Sequence, residues 1–220
     1  ALRSEDIHSE FLHGLRITDS DSIKVVERVL NNEVNPHMVD ILREFDGKAR
    51  GIHGEDIFLA EKMTGRDSST NESCDWGFVG SINSVDVEPI DAYMKSEIVP
   101  VITPLAQDTK GQIYNVNADD AATAVACALN ARKLVFLSDV PGLLHDPLDS
   151  DSLISSLHLN EVQELIQRSV IKGGMLPKIN GMVKAVESGI KKAHIIDSAL
   201  PHSLLLELFT SDGVGTEILK

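Results

Sequence analysis

Residues 169–185 read Ser-Val-Ile-Lys-Gly-Gly-Met-Leu-Pro-Lys-Ile-Asn-Gly-Met-Val-Lys-Ala. Gly173 and Gly174 allow close approach of backbone to a ligand, Pro177 suits the first turn of a helix, and Lys178 sets a cation beside that turn. Together they suit an anion with phosphate geometry. The same residues also fit an ordinary turn leading into an amphipathic helix with a solvated lysine. Working outward, Ile179, Met182, Val183, Val186 and Ile190 give a helix over 177–192 its inward face, and 193–196 is the strand after it. Upstream, Val162, Leu165 and Ile166 mark a helix over 159–166. A strand over 134–137 ends in Ser138-Asp139-Val140-Pro141-Gly142, a loop at a strand's carboxyl end, where open α/β sheets hold ligands. Pro201-His202 begins a Leu-rich helix to Phe209, and 215–219 closes the chain as a strand. This alternation predicts an α/β fold with a mainly parallel sheet covered on both faces.

The first half is less regular. Thr18-Asp19-Ser20-Asp21 has the S/T-x-x-D/E spacing of a helix start, predicting a helix over 19–31. Asn35-Pro36 supplies a cap and first-turn proline for a second helix, which Gly47 is placed to end. Residues 48–53 suit a strand, 56–63 a strand or a helical turn, 66–75 a polar loop, and 76–85 a hairpin turning at Gly80 and Asn83. A short helix over 88–96 and an apolar strand over 98–105 follow. Tyr114 to Arg132 is a polar start to an alanine-rich helix capped by Asn117, and 146–152 is a surface loop.

Composition removes several function classes. With 220 residues, 42% of them apolar, the chain is long enough for one α/β domain or two joined lobes. A net charge of -14 argues against nucleic acid or an anionic membrane surface as partner, so any anion site is local. Cys74 and Cys127 have neither metal-ligand spacing nor a disulfide framework, which fits a reducing cytoplasm. No apolar run spans a bilayer, no signal peptide is seen, and the opening at Ala1 reads as the middle of a longer chain. No zinc cluster, nucleophile triad, P-loop or G-x-G-x-x-G fingerprint is present.

Four segments in order carry a resemblance: Gly14-Leu15-Arg16-Ile17-Thr18-Asp19, Asn115-Val116-Asn117-Ala118-Asp119, Leu137-Ser138-Asp139-Val140-Pro141-Gly142 and Gly173-Gly174-Met175-Leu176-Pro177-Lys178. A closing pattern of Asp197, Pro201-His202, Leu205-Leu206-Glu207-Leu208-Phe209-Thr210, Gly213 and Gly215-Thr216 follows them. From about Phe11 on, the chain resembles the N-acetylglutamate kinases of the amino acid kinase family. The resemblance implies an amino acid kinase-like three-layer αβα sandwich. It implies ATP-dependent phosphorylation of the side-chain carboxylate of N-acetyl-L-glutamate, a step of arginine biosynthesis in the cytoplasm. Lys178 would contact the γ-phosphoryl group and Asp119 would hold catalytic lysines in place. Arg16 would pair with a substrate carboxylate, and Asn115 and Asn117 would contact the same substrate. Asp139, Val140, Pro141, Gly142, Leu143 and Leu144, with Val170, Ile171 and Lys172, would line the ATP site, and Mg2+ would ride on the ATP phosphates. Residues 1–131 would form an incomplete acetylglutamate-binding half and 132–220 a nucleotide-binding half, in a homodimer or higher homo-oligomer when full length. His202, Glu207, Gly213 and Gly215 resemble the feature of arginine-inhibited members, so L-arginine is expected as an inhibitor.

The chain lacks the family's opening strand with its lysine and paired glycines, and a later Gly-Gly-Gly loop, so these residues read as a fragment with impaired activity. It also has Ile57-Phe58 and Ser198-Ala199 where the family usually has glycine and Gly-Arg. Singly, each residue has a plainer reading: Arg16 as a surface arginine, Asn115 and Asn117 as turn and cap residues, Asp119 as a complement to a helix amino end. Two other functions stay open: a catalytically silent kinase-like module that binds nucleotide or a partner, and a sister kinase for a carrier-linked aminoadipate. Gly14-Leu15-Arg16 disfavours the second.

Overall fold

The structure, a computed structural model, describes residues 11–12, 15–66, 73–146, 148–210 and 213–220. Gly14 and the centre of the loop expected over 66–75 lie outside these residues. Contacts divide the chain into two units, Ala1–Ala124 and Val125–Lys220.

In the first unit, an antiparallel pair, β1 (Phe11–Leu12) and β2 (Leu15–Arg16), leads into α1 (Ser20–Val29). The residue that caps α1 is Asp19, not Thr18: the Asp19 carboxylate accepts from the amides of Asp21 at 3.2 Å and Ser22 at 2.7 Å. Those bonds hold its carboxyl below the usual range, chiefly through the Ser22 amide. The two helices expected here are one rod, because α1 runs through a π-helical turn, Leu30–Val34, into α2 (Asn35–Glu44). Asn35 caps nothing; it is buried, and its Nδ2 donates to Val101 O at 2.8 Å. Asn31, buried in the π turn, accepts from Thr103 Oγ1 at 3.0 Å. The rod ends near Gly47 as expected, but the left-handed residue is Asp46, with φ 60. Asp46 N bonds Arg43 O at 3.0 Å and Gly47 N bonds Leu42 O at 2.9 Å, a Schellman stop.

β3 (Ala49–Ile52), β4 (Phe58–Arg66), β5 (Ser73–Val85), α3 (Glu88–Lys95), β6 (Val99–Ile102), β7 (Leu105–Gln107), β8 (Ile113–Asn115) and α4 (Ala118–Ala128) follow. β3 pairs in parallel with β6 under α2 and α3, while β4, β5, β8 and β7 close into a ring. No hairpin turns at Gly80 or Asn83. The segment is one 13-residue strand, and Ser73–Asp75, expected as loop, belongs to it. Gly80 is needed for closeness: a Cβ there would lie 2.7 Å from Tyr114 Cβ. The residue that bends β5 is Gly77, with φ 69, and a Cβ on it would collide with the carbonyl oxygen of Thr18. The strand expected over 98–105 breaks at Thr103-Pro104, where the Thr103 hydroxyl accepts from Gly54 N at 2.9 Å.

The division between units falls within α4. The second unit is a four-stranded sheet in the order β10 (Ser156–His158), β12 (Thr216–Leu219), β11 (Lys192–Asp197), β9 (Lys133–Ser138). β10–β12 and β11–β9 are parallel and β11–β12 antiparallel. The three-residue β10 carries too little periodicity to be read from sequence. Ala193, His194, Ile195 and Ile196 of β11 are all buried, as in a strand covered on both faces. α6 (Met175–Glu187) and α7 (Ser203–Phe209) both pack on it, and α5 (Leu159–Gln167) packs on β10. α6 contributes Ile179, Met182, Ala185 and Val186 to the core. The α/β class expected from the alternation is the class observed.

Replacing Gly77 by alanine adds both strain at φ 69 and a clash with the Thr18 carbonyl. Gly77→Ala is expected to lower stability by about 2 kcal/mol in urea unfolding; a change within about 0.5 kcal/mol, the range of a bland surface substitution, would mean that this contact is absent.

Candidate functional site

In the first unit, two of the sequence-predicted residues, distant in the chain, meet through one hydroxyl. Arg16 ends β2, and Asn115 ends β8, where it pairs with both Val79 and Leu105. Between them sits Thr18, with 0% of its surface exposed. Its Oγ1 donates to Arg16 O at 3.1 Å and accepts from Asn115 Nδ2 at 3.3 Å. Its backbone is gripped by β5, through Thr18 N to Trp76 O at 3.0 Å and Phe78 N to Thr18 O at 2.6 Å. Nothing in the sequence signals this role, because Thr18 already satisfies a capping pattern.

Asn117 is the helix cap expected for α4: its Oδ1 accepts from the amides of Asp119 at 2.8 Å and Asp120 at 3.2 Å. With that oxygen committed, its Nδ2 is what remains to meet a ligand. Asp119 lies half-buried in the first turn of α4 beside Asp120, where carboxylates complement the helix dipole.

In the second unit, α6 begins at Met175, two residues earlier than expected, so Pro177 still sits in its first turn and Lys178 follows half-buried. The amides of Met175 and Leu176 bond Lys172 O and Gly173 O at 3.2 Å each, and Pro177 has no N–H. Gly173 and Gly174 are thus the remaining backbone donors at this helix start, with Gly173 at φ 56. Val170 and Lys172 flank Ile171, which is 1% exposed and belongs to the core. After β9, Ser138 Oγ donates to Asp139 Oδ1 at 3.3 Å, and Asp139 is exposed. Gly142 and Leu143 are buried, with Leu143 N bonded to Thr216 Oγ1 at 2.8 Å. Leu143 and Ile171 are core residues, 2% and 1% exposed, whereas Asp139, Val140, Pro141, Leu144, Val170 and Lys172 keep surface outside the core.

The carboxyl-terminal residues also gather, with one exception. Glu207, Gly213 and Gly215 line a pocket of about 210 Å³ with His194, Lys133, Lys192 and Glu217, whereas His202 is not among the lining residues. His202 is exposed before α7 with φ 60. Glu207 Oε1 meets His194 Nδ1 at 2.7 Å, and Oε2 accepts from Val214 N at 2.7 Å and Gly215 N at 3.1 Å. His194 Nε2 is buried without a partner among the described residues. Burial is the largest influence on Glu207 and opposes its ionisation. The Val214 amide, His194 and the Gly215 amide together outweigh it, leaving the carboxyl below its ordinary value. Sequence reading picked Glu207 but missed His194, whose place in an apolar strand hides its partner.

Among the described residues no cluster of three His, Cys, Asp or Glu could hold a metal ion, and no helix is long and apolar enough to cross a membrane. Compared with known proteins, residues 1–197 match the amino acid kinase family. The acetylglutamate kinase of Archaeoglobus fulgidus is 42% identical over 213 residues, covering 95% of this chain and 73% of that protein. That of Akkermansia muciniphila is 40% identical, covering 100% and 74%. The solved N-acetylglutamate synthase of Neisseria gonorrhoeae, complexed with coenzyme A and N-acetyl-glutamate, superposes with TM-score 0.84 at 25% identity over 99% of this chain and 48% of that one.

Because the folded state depresses the Glu207 pKa, its stabilisation is complete above the ordinary carboxylate value of about 4.3 and is lost as pH falls through the folded value. Glu207→Ala is expected to lose about 3 kcal/mol at neutral pH, as expected for one half of a buried pair, and to flatten the acid limb of a stability–pH curve. An unchanged acid limb would remove Glu207 as a source of it.

Proposed function

The chain belongs to the amino acid kinase family, and from that membership we propose that it transfers the γ-phosphoryl group of ATP to the side-chain carboxylate of N-acetyl-L-glutamate, giving N-acetyl-L-glutamyl 5-phosphate and ADP for arginine biosynthesis in the cytoplasm. The observation that carries this reading is that the likeness to acetylglutamate kinases runs over nearly the whole chain. The acceptor carboxylate is ionised at neutral pH, so no general base is required: a carboxylate oxygen forms a bond to the γ-phosphorus as the bond from that phosphorus to the β,γ-bridging oxygen breaks. The protein's work reduces to alignment and neutralisation of charge.

Arg16 supplies a cation for a substrate carboxylate, and Asn115 with the Nδ2 of Asn117 supplies neutral hydrogen bonds. Lys178 faces the transferring phosphoryl group, and Asp119 acts as an acceptor for lysine ammonium groups rather than as a base. Residues Asp139 to Leu144 and Val170 to Lys172 receive the nucleotide, which arrives as its magnesium complex with phosphate oxygens as the metal's main ligands. The active form is a homo-oligomer.

The second part of the reading is inhibition by L-arginine at the Glu207 pocket. Glu207 and Glu217 offer negative charge, Lys133 and Lys192 positive, so both ends of a free basic amino acid find partners. Lys192 and Glu217 already pair at 2.7 Å, and binding would exchange that bond for bonds to the ligand.

With the full-length gene product, N-acetyl-L-glutamate is expected to drive ADP release and an acyl phosphate that hydroxylamine traps as a hydroxamate. Lys178→Ala should lower kcat about a hundredfold, the scale of one lost electrostatic stabiliser, while the Michaelis constants move far less. ADP release independent of N-acetyl-L-glutamate would refute the assignment. Saturating L-arginine is expected to slow turnover of the same enzyme; unaffected turnover would remove the inhibitory reading.

A further inference from the structure

We infer that Thr18 is a positioning residue for the acceptor substrate, its hydroxyl setting Arg16 and the Asn115 amide in register. The inference rests on the proposed function. Arg16 and Asn115 come from strands almost one hundred residues apart. The bonds that join their strand ends pass through one buried oxygen: Thr18 Oγ1 to Arg16 O at 3.1 Å and Asn115 Nδ2 to Thr18 Oγ1 at 3.3 Å.

The chemistry of a hydroxyl makes this arrangement directional. A threonine hydroxyl has a single hydrogen, and Arg16 O takes it. Only a lone pair is left for Asn115, so the NH2 end of that amide must face Thr18, as it does. The amide is thereby prevented from flipping, and its Oδ1 and second Nδ2 hydrogen are presented in a fixed order to whatever binds beside Arg16. An N-acetylated amino acid has the complementary set, an amide N–H to donate and carbonyl or carboxylate oxygens to accept. Thr18 itself is fixed: it is fully buried, its peptide is bonded on both sides by Trp76 and Phe78, and Gly77 has no side chain to push it away. Its carbon framework fills its place, and within the side chain only the oxygen makes hydrogen bonds.

The test compares Thr18→Val, which keeps shape and removes the hydroxyl, with Thr18→Ser, which keeps the hydroxyl and removes a methyl. In the full-length enzyme, Thr18→Val is expected to raise KM for N-acetyl-L-glutamate about tenfold or more, as an amide left without its partner implies. KM for ATP should change less than about threefold, and Thr18→Ser should stay within about threefold of the parent on both, margins small beside that tenfold step. In an Asn115→Ala background the same Thr18→Val change should have little further effect on the acetylglutamate KM, since the amide it orients is gone. Should Thr18→Val not fold, Thr18→Ala carries the same readouts. Equal rises in both KM values, a Thr18→Ser variant as impaired as Thr18→Val, or a wild-type acetylglutamate KM in Thr18→Val overturns the inference while the proposed function stands. A parent enzyme with no acetylglutamate-dependent turnover overturns both.

Discussion

Thr18 has no exposed surface, so both its peptide and its hydroxyl must find partners inside the protein, and the partners they find tie three separate strands together. The peptide completes β5 at its bend, and the hydroxyl reaches the ends of β2 and β8. The bend exists because Gly77 adopts a left-handed conformation that leaves space for the Thr18 carbonyl. A shift at this junction would reach the Arg16 backbone and the Asn115 amide, the two groups proposed to meet the acceptor. The neighbouring rod is held by the same rule. Asn31 and Asn35 are buried polar groups in helix interior positions; the first fastens the π turn to Thr103 at the break between β6 and β7, and the second fastens the start of α2 to Val101 O in β6.

In the second unit the obligation falls on Glu207 and Thr216. Four partners are drawn to these two side chains: His194, the amides of Val214 and Gly215, and the amide of Leu143. The three amide bonds fix loops that sequence reading marked as functional, and the fourth ties Glu207 to β11. Leu143 belongs to the loop after β9, and Gly215 precedes the strand that completes the sheet between β10 and β11. Glycine at 213 and 215 follows from closeness, because a side chain at 213 would press on the Glu207 carboxylate and one at 215 on the Ile195 carbonyl.

Where a side chain answers to its own helix, the sequence was legible. Asn117 caps α4 as read, and the apolar face of α6 is the face that is buried. Where a side chain answers to a distant strand, it was not. Thr18 and Asn35 both fit capping patterns, and both spend their polar atoms on tertiary bonds instead. One helix end was read through a glycine, Gly47, yet Asp46 takes the left-handed position there, as Glu97, Asn130 and Ser169 do after their helices, which paired carbonyl bonds permit. The long β5 was mistaken for a hairpin because Gly80 looks like a turn residue, whereas the reason for that glycine is Tyr114 on the neighbouring strand. For the candidate site, the residue types and order were legible; the hydroxyl that joins two of them, and the burial that confines Leu143 and Ile171 to the core, required the third dimension.

Arg16 and Asn115 are proposed to form one acceptor subsite around a common hydroxyl. A crystal structure of the full-length protein with N-acetyl-L-glutamate tests this directly. The expected result is a substrate carboxylate against the Arg16 guanidinium and the acetamido group within hydrogen-bond distance of Asn115, with the Asn115 Nδ2 still turned to Thr18 Oγ1. Ligand density away from both residues, or an Asn115 amide reversed toward Thr18, would contradict it.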